Sequence, residues 1–395
     1  MKFKDLVESI PFWKIAEKSD NHNILKLYNS LHMEGGSFNI RFVKNPDYFK
    51  FNTYESPNSY VIIAVNKENE VEGMFSLLIR ACYLDGKQEY VGHISDLRMK
   101  RKKHRKADFS WYDIFRALFQ KGIEIDEIKH CKYFLGSYVV NNHYAIRAIK
   151  EKAPWEIHDV ANYCMVSILG RRPCKYFGCS SSVESGLKVS ISRAIKEDIP
   201  ELTKFLDQQN KKRTFGFVFS GADNELDRRF KDWDNFSISN FYIAKDDSGK
   251  IIACTAYWNP TKGRRIVVDR FPFYLDLLGK ILKIFGKDIP NKGQELKILY
   301  LTHVELCHLL SKENKRILLN KFIDYIYASG LMSNYHIMGF CDYTSENLSI
   351  GMEKNYFLEK TYTSLYQFYD LESKNVLKIK EDDQDVRIGH EMVLT

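Results

Sequence analysis

The sequence predicts an α/β protein with a mixed, mostly antiparallel sheet flanked by helices, built twice over in one chain. Three observations carry that expectation. One order of elements (hairpin, strand, turn, helix, strand, helix, strand) reads through residues 60–169 and recurs in residues 189–369. A stretch rich in Gly and Ser, residues 170–187, separates the two readings. The length of 395 residues exceeds one typical core and suits two units of roughly 150 to 200 residues. The units fall at 1–172 and 188–395, with 173–187 as the linker between them.

In the first unit, Ile24, Leu25, Leu27, Tyr28 and Leu31 form a helical face that Gly35-Gly36 interrupts, so residues 23–52 read as helical or irregular. Residues 60–65 and 73–83 are apolar strands around a polar turn. Asp85-Gly86 then makes a tight hairpin into a third strand, 91–99. Residues 98–106 hold seven Lys or Arg and one His, and a helical pattern follows at once. There Trp111, Ile114, Phe115, Leu118 and Phe119 share a face, with Asp108 or Ser110 as the cap. A strand at 133–140, a helix at 141–152 opened by an Asn pair, and a long strand at 155–169 complete the unit.

The second unit starts with a strand at 189–193 and a helix announced by Asp198-Ile-Pro-Glu201, with the acid at the cap and Pro just inside. Residues 241–245 and 251–258 form a hairpin. A strand at 297–305, a helix at 315–327, a strand at 335–341, a helix at 345–354 and a strand at 360–369 repeat the first unit's order.

Composition narrows the function. A formal charge of +8 favours an anionic ligand without making the chain histone-like, and 14% aromatic content argues for packed cores over disorder. The N-terminus has no apolar leader and no segment is an uninterrupted apolar span, so a cytoplasmic protein is expected. The eight cysteines are spread out as reduced core residues are. The close pair Cys174 and Cys179 has no neighbouring His, so no metal is expected. Residues 271–287 read as a membrane-surface helix or as a helix covering the sheet, and residues 211–219 as a single-strand binder or as a loop entering an apolar strand.

The basic run is the strongest chemical signal. Lying between a strand and a helix N-terminus, it places cations beside free main-chain N–H groups, the ingredients of an anion site. The alternatives are a solvated turn and a patch for nucleic acid.

The order of elements, together with Ile94-Ser-Asp-Leu-Arg-Met-Lys-Arg-Lys-Lys-His-Arg-Lys-Ala-Asp-Phe, resembles the central motif of the GNAT superfamily of acyl-CoA-dependent N-acyltransferases. In that family an Asp-Leu-x-Val strand leads to an Arg/Gln-x-x-Gly-x-Gly/Ala loop that holds the CoA pyrophosphate. Asn142-His-Tyr-Ala145 resembles the family's Asn-x-x-Ala. The resemblance implies two tandem GNAT-like domains and acetyl-CoA as acyl donor. It implies a small-molecule or peptide amine as acceptor, which attacks the thioester directly. It also implies a CoA site at Leu97, Arg98, Met99, His104, Arg105, Lys106, Ala107, Asp108, Phe109 and Asn142.

For the chemistry, Asp96 is the candidate base, its alternative being a polar strand residue paired with Arg98. Glu305 is the second unit's candidate carboxylate. His93 and His303 are bases or core residues. Departures from the family pattern are His104, Ala107 and Phe109 in the loop, and Ile149 where a Tyr acid is usual, which leaves Tyr144 as the nearest phenol. The second loop, residues 310–317, has no glycine and is expected not to hold CoA in the usual way. The competing classes are a decayed GNAT-like scaffold module, a nucleic-acid binder using residues 98–106, and peptidyl or fatty-acyl transferases built from two such units.

Overall fold

The computed structural model describes residues 1–31, 39–151, 156–172, 188–270, 290–369, 377, 388–389 and 391–394. The linker, Cys174, Cys179 and residues 271–287 lie outside the described residues. The strands of the first part of the chain are β1 (Trp13–Ile15), β2 (Asn39–Val43), β3 (Asn58–Val65), β4 (Val71–Leu84), β5 (Lys87–Met99), β6 (Cys131–Val139) and β7 (Glu156–Arg171). Those of the second are β8 (Ser190–Arg193), β9 (Gly216–Phe217), β10 (Phe241–Lys245), β11 (Ile251–Trp258), β12 (Arg265–Arg270), β13 (Ile298–Leu306), β14 (Ile337–Tyr343) and β15 (Tyr356–Tyr369).

A single sheet runs β1-β3-β4-β5-β6-β15-β7-β14-β13-β11-β10-β8, with β9 beside β4, while β12 and β2 make a separate ribbon. Its pairs are antiparallel except β5 with β6 and β13 with β14. Each parallel pair brackets a helix, Trp111–Lys121 in one case and Lys312–Ala328 in the other, as a parallel connection requires. The centre of the sheet is an exchange. β15 pairs with β6 and β7, and β7 pairs in turn with β14, so each half's last strand lies among the other half's strands.

Apolar patterning places the layers. Ile114, Phe115 and Leu118 of the Trp111–Lys121 helix are buried with Phe75, Ile94 and Phe109 on one face of the sheet. Ser110 caps that helix by accepting from Tyr112 N at 2.9 Å. Leu318, Leu319, Phe322 and Ile323 of the later helix bury in the same way with Leu299, Met338 and Phe340. Within residues 23–52 the described parts are a helix Asn21–Ser30, β2 and a helix Tyr48–Glu55, and the expected break at Gly35-Gly36 lies outside the described residues. No helix among the described residues is long and apolar enough to cross a membrane.

The expected helix at 345–354 is instead a chain of turns ending in a short 3-10 segment, Met352–Lys354. The buried Asp342 accounts for this, since its carboxylate accepts from Leu348 N and Ser349 N at 2.8 Å each and so takes up amides that a helix would use. The aromatic residues of 211–219 turn inward: Phe215, Phe217 and Phe219 are buried.

Candidate active site

The parallel pairing of β5 and β6 extends from Tyr90↔Cys131 to His93↔Leu135 and then stops, although β5 runs on to Met99 and β6 to Val139. The two strands part and leave a cleft. Beside it β5 bulges: Ser76 pairs with Ser95 and Met74 with Arg98, so Asp96 and Leu97 together oppose Phe75. Asp96 sits at φ 52, a left-handed conformation that Asp tolerates through its short polar side chain. The same device recurs in the second half. Pairing of β13 with β14 ends at Leu301↔Phe340, β13 slips register against β11, and His303 lies in the slip at φ 49.

On one side of the first cleft, the Tyr48–Glu55 helix lays Tyr48, Asn52 and Glu55 against the sheet at spacings of four and three. Asp47 caps it, accepting from Phe49 N at 2.9 Å. Tyr48 donates to Asp96 at 2.7 Å, and the buried Lys44 ammonium pairs with the same carboxylate. Burial works to raise the Asp96 pKa, but the charges of Lys44 and Arg98 and the two hydrogen bonds hold it at about 2. Asp96 is thus committed to an ion pair and is too weak a base to hold a proton at neutral pH.

Three residues earlier, His93 Nδ1 bonds to the carboxylate of Glu55, and both side chains are buried. A carboxylate on Nδ1 selects the tautomer whose lone pair is on Nε2. His93 and Glu55 line a cavity of about 20 Å³ together with Arg80, Leu135, Phe217 and Glu391, which is room for one water.

The basic loop lies across the sheet from this cavity, and its anion-binding groups are already in use. Glu72, fully buried in β4, accepts from Lys106 N at 3.1 and 3.0 Å and from Ala107 N at 3.0 Å. Arg105 turns inward, donating to Phe109 O at 2.8 Å and Met99 Sδ at 3.3 Å. The Phe109 ring is buried edge-on against Trp13, centroids 5.3 Å apart, over Gly73, where a Cβ would come within 2.7 Å of the ring. Phe109 therefore fills volume that the family pattern leaves open, and the loop as it stands does not fit a pyrophosphate on its 106 and 107 amides.

The other predicted cofactor residues scatter. Leu97 packs against the apolar cluster under the helix. The Arg98 guanidinium stacks on Tyr28 at 3.8 Å and donates to Leu31 O at 2.7 Å. His104 and Asp108 are exposed. Asn142 caps the next helix, His143–Glu151, accepting from Ala145 N at 3.1 Å. Tyr144 lies in that helix's first turn, its side chain outside the described residues, and Ile149 is buried in the core.

In the second half Glu305 is buried against Arg213 at 2.8 Å and Asn210 at 3.0 Å. His303 Nε2 bonds to Arg229 at 2.8 Å and Nδ1 to Thr302 at 2.9 Å; burial, then the Arg229 charge, pushes its pKa well below the ordinary range. Its own main-chain N–H donates to Glu391 at 3.0 Å. The chain's last described segment is thereby seated in the second bulge. Its carbonyls are held by Arg80 (from Gly389, 2.8 Å), Arg213 (from Ile388, 3.2 Å) and Arg264 (from Val393, 2.9 Å). The structure thus brings Asp96 and His93 to the first cleft and keeps Glu305 and His303 in the interior of the second half.

Sequence reasoning missed Lys44, Glu55, Glu72 and Glu391. Asp47 ahead of Tyr48, Asn52 and Glu55 was a readable helix start, and Glu72 was visible as a single acid heading an apolar strand.

No family model and no curated protein matches the sequence. Solved structures do match the fold. Saccharomyces cerevisiae N-myristoyltransferase with bound myristoyl-CoA aligns at a TM-score of 0.54 and 12% identity, over 90% of this chain and 82% of that one. A GCN5-related glucosamine N-acetyltransferase region of a fungal multi-domain β-N-acetylglucosaminidase aligns at 0.54 and 11%, over 90% of this chain and 38% of that one. A GCN5-related N-acetyltransferase from Sphaerobacter thermophilus aligns at 0.50 and 7%, over 90% and 94%. The fold is that of the GNAT and N-myristoyltransferase acyltransferases.

Proposed function

We propose that the chain is a thioester-dependent N-acyltransferase acting on a primary amine at the β5/β6 cleft, in the first of two GNAT-like units. The observation that carries this reading is the His93–Glu55 pair, seated on the last paired residue before the strands part and facing a cavity. The amine nitrogen attacks the thioester carbonyl carbon, the C–N bond forms and the C–S bond breaks. The amine's surplus proton passes to His93 through the one water the cavity admits, and the departing thiolate takes a proton from solvent. A bulge leaves main-chain groups out of the sheet ladder, and N–H groups at Asp96 and Leu97 are the candidates to meet the developing oxyanion. Glu55 acts by fixing the imidazole. Asp96 serves by holding the bulge through Lys44 and Tyr48.

Acetyl-CoA is the first donor to test, followed by longer acyl thioesters, by titration calorimetry and then by thiol release with a panel of amines. Thiol release that falls with His93→Gln supports the reading; no release from any thioester removes it. A second reading, a GNAT-like scaffold without activity, is favoured by the Glu72 carboxylate on the loop amides. It predicts no thiol release from any donor.

A further inference from the structure

The cations of the basic run divide into two sets. Arg98 is stacked on Tyr28, Arg105 is turned inward, and Lys100 and Lys106 pair with Glu68, Glu70 and Glu72. Arg101, Lys102 and Lys103 are exposed, and none has an ion pair among the described residues. With His104 they form the projecting turn that follows the end of β5, so free positive charge lies on the rim of the loop. The floor beneath it is closed: the amides that would receive a diphosphate already hold a carboxylate at 3.0 Å.

This pairing of a filled floor and a charged rim bears on the donor. A free coenzyme A thioester brings a diphosphate, which in the family pattern is held by main-chain amides at a helix N-terminus. An acyl group on a protein-bound phosphopantetheine arm brings one phosphodiester only, and its recognition is transferred to the carrier's surface. We propose that the acyl donor of this chain is a phosphopantetheine thioester on a small acidic carrier protein, docked by Arg101, Lys102 and Lys103. The carrier's negative surface meets the exposed rim, where complementary charge raises the association rate and sets orientation. The arm reaches the β5/β6 cleft without using the 106 and 107 amides. The thioester C–S bond breaks, the amide C–N bond forms, and the carrier's thiol leaves with a proton. The proposal rests on the acyltransferase reading above and adds the identity of the donor.

The test uses the full chain with four probes: octanoyl carrier protein, the unacylated carrier, octanoyl-CoA and a 20-nucleotide single-stranded DNA. Binding is followed by fluorescence anisotropy at two salt concentrations, and thiol release with an amine panel. The expected result is carrier binding at least tenfold tighter than octanoyl-CoA binding, weakened by salt. Lys102→Glu/Lys103→Glu should weaken it a further tenfold or more, with the thermal midpoint unchanged because both side chains are exposed. Thiol release from octanoyl-CoA but not from the carrier overturns the proposal and leaves the acyltransferase reading standing. Release from neither octanoyl donor overturns the proposal, and if acetyl-CoA also gives none the acyltransferase reading falls with it. Tight DNA binding that displaces the carrier assigns the rim to nucleic acid and overturns the proposal.

Discussion

The carboxylate of Glu72 accepts hydrogen bonds from the main-chain nitrogens of Ala107 and Lys106, so β4 holds the loop that follows β5 from beneath. Glu72→Ala leaves those amides unmet, that of Ala107 in a buried setting. A charge-assisted bond of this kind contributes about 1.5–3 kcal/mol. The variant should lose at least that much in a denaturant titration, while Glu72→Gln, which keeps one acceptor, should lose less.

Asp96 and Lys44 make a sharper prediction in acid. The Asp96 pKa is about 2 in the fold, against an ordinary value of 3.8. A depressed carboxyl stabilises the fold above its ordinary value and loses that contribution as pH falls toward 2, about 2 kcal/mol in all. Stability should therefore drop between pH 4 and 2 in the parent and drop less in Asp96→Asn. That variant should be less stable at pH 7 by roughly 3–5 kcal/mol, since it leaves the buried Lys44 without its counter-charge.

His93→Gln should cut the turnover number by roughly 10²- to 10⁴-fold, the range for loss of a general base. Glu55→Gln should cut it less, because it loosens the imidazole's orientation while leaving the imidazole in place. Near-ultraviolet circular dichroism unchanged from the parent would show that packing is intact.

Glu391 and His303 bear on stability at mildly acid pH. His303 is held neutral by burial and by Arg229, so the unfolded chain binds a proton there that the folded chain does not. Stability should fall as pH drops below about 6.5, and His303→Gln should flatten that slope. Glu391→Ala removes a partner from Arg229, whose side chain is fully buried and whose Nη2 has no partner among the described residues. A loss of about 3 kcal/mol is expected by thermal or chemical melting.

The fold was largely legible because it rests on periodicity. The β10–β11 hairpin and the strand–helix–strand crossovers could be read from apolar spacing. The short elements were not legible. β1 has three residues and β9 two, too few for a period to show, and the Tyr48–Glu55 helix, though its start is marked by Asp47, mixes Lys, Asn and Thr with aromatics and has little amphipathic signature. The site was legible only as a place. The basic run marked where the loop would be, but Glu72 lies 34 positions before Lys106 and Glu55 lies 38 before His93. Such partners are brought together by sheet registration and leave no local pattern.

The interleaving of β15 and β7 has a consequence for how this chain can be cut or copied. Severed between residues 172 and 188, each fragment would keep a strand whose hydrogen-bonding neighbours belong to the other: β7 without β14 and β15, or β15 without β6 and β7. Each fragment would carry an unpaired strand edge, a template for aggregation, that the two expressed together should cover for one another. The same constraint binds their history: a change that alters the width of one half's seam must be answered in the other, so the halves are free to diverge in their loops while their central strands must change in step.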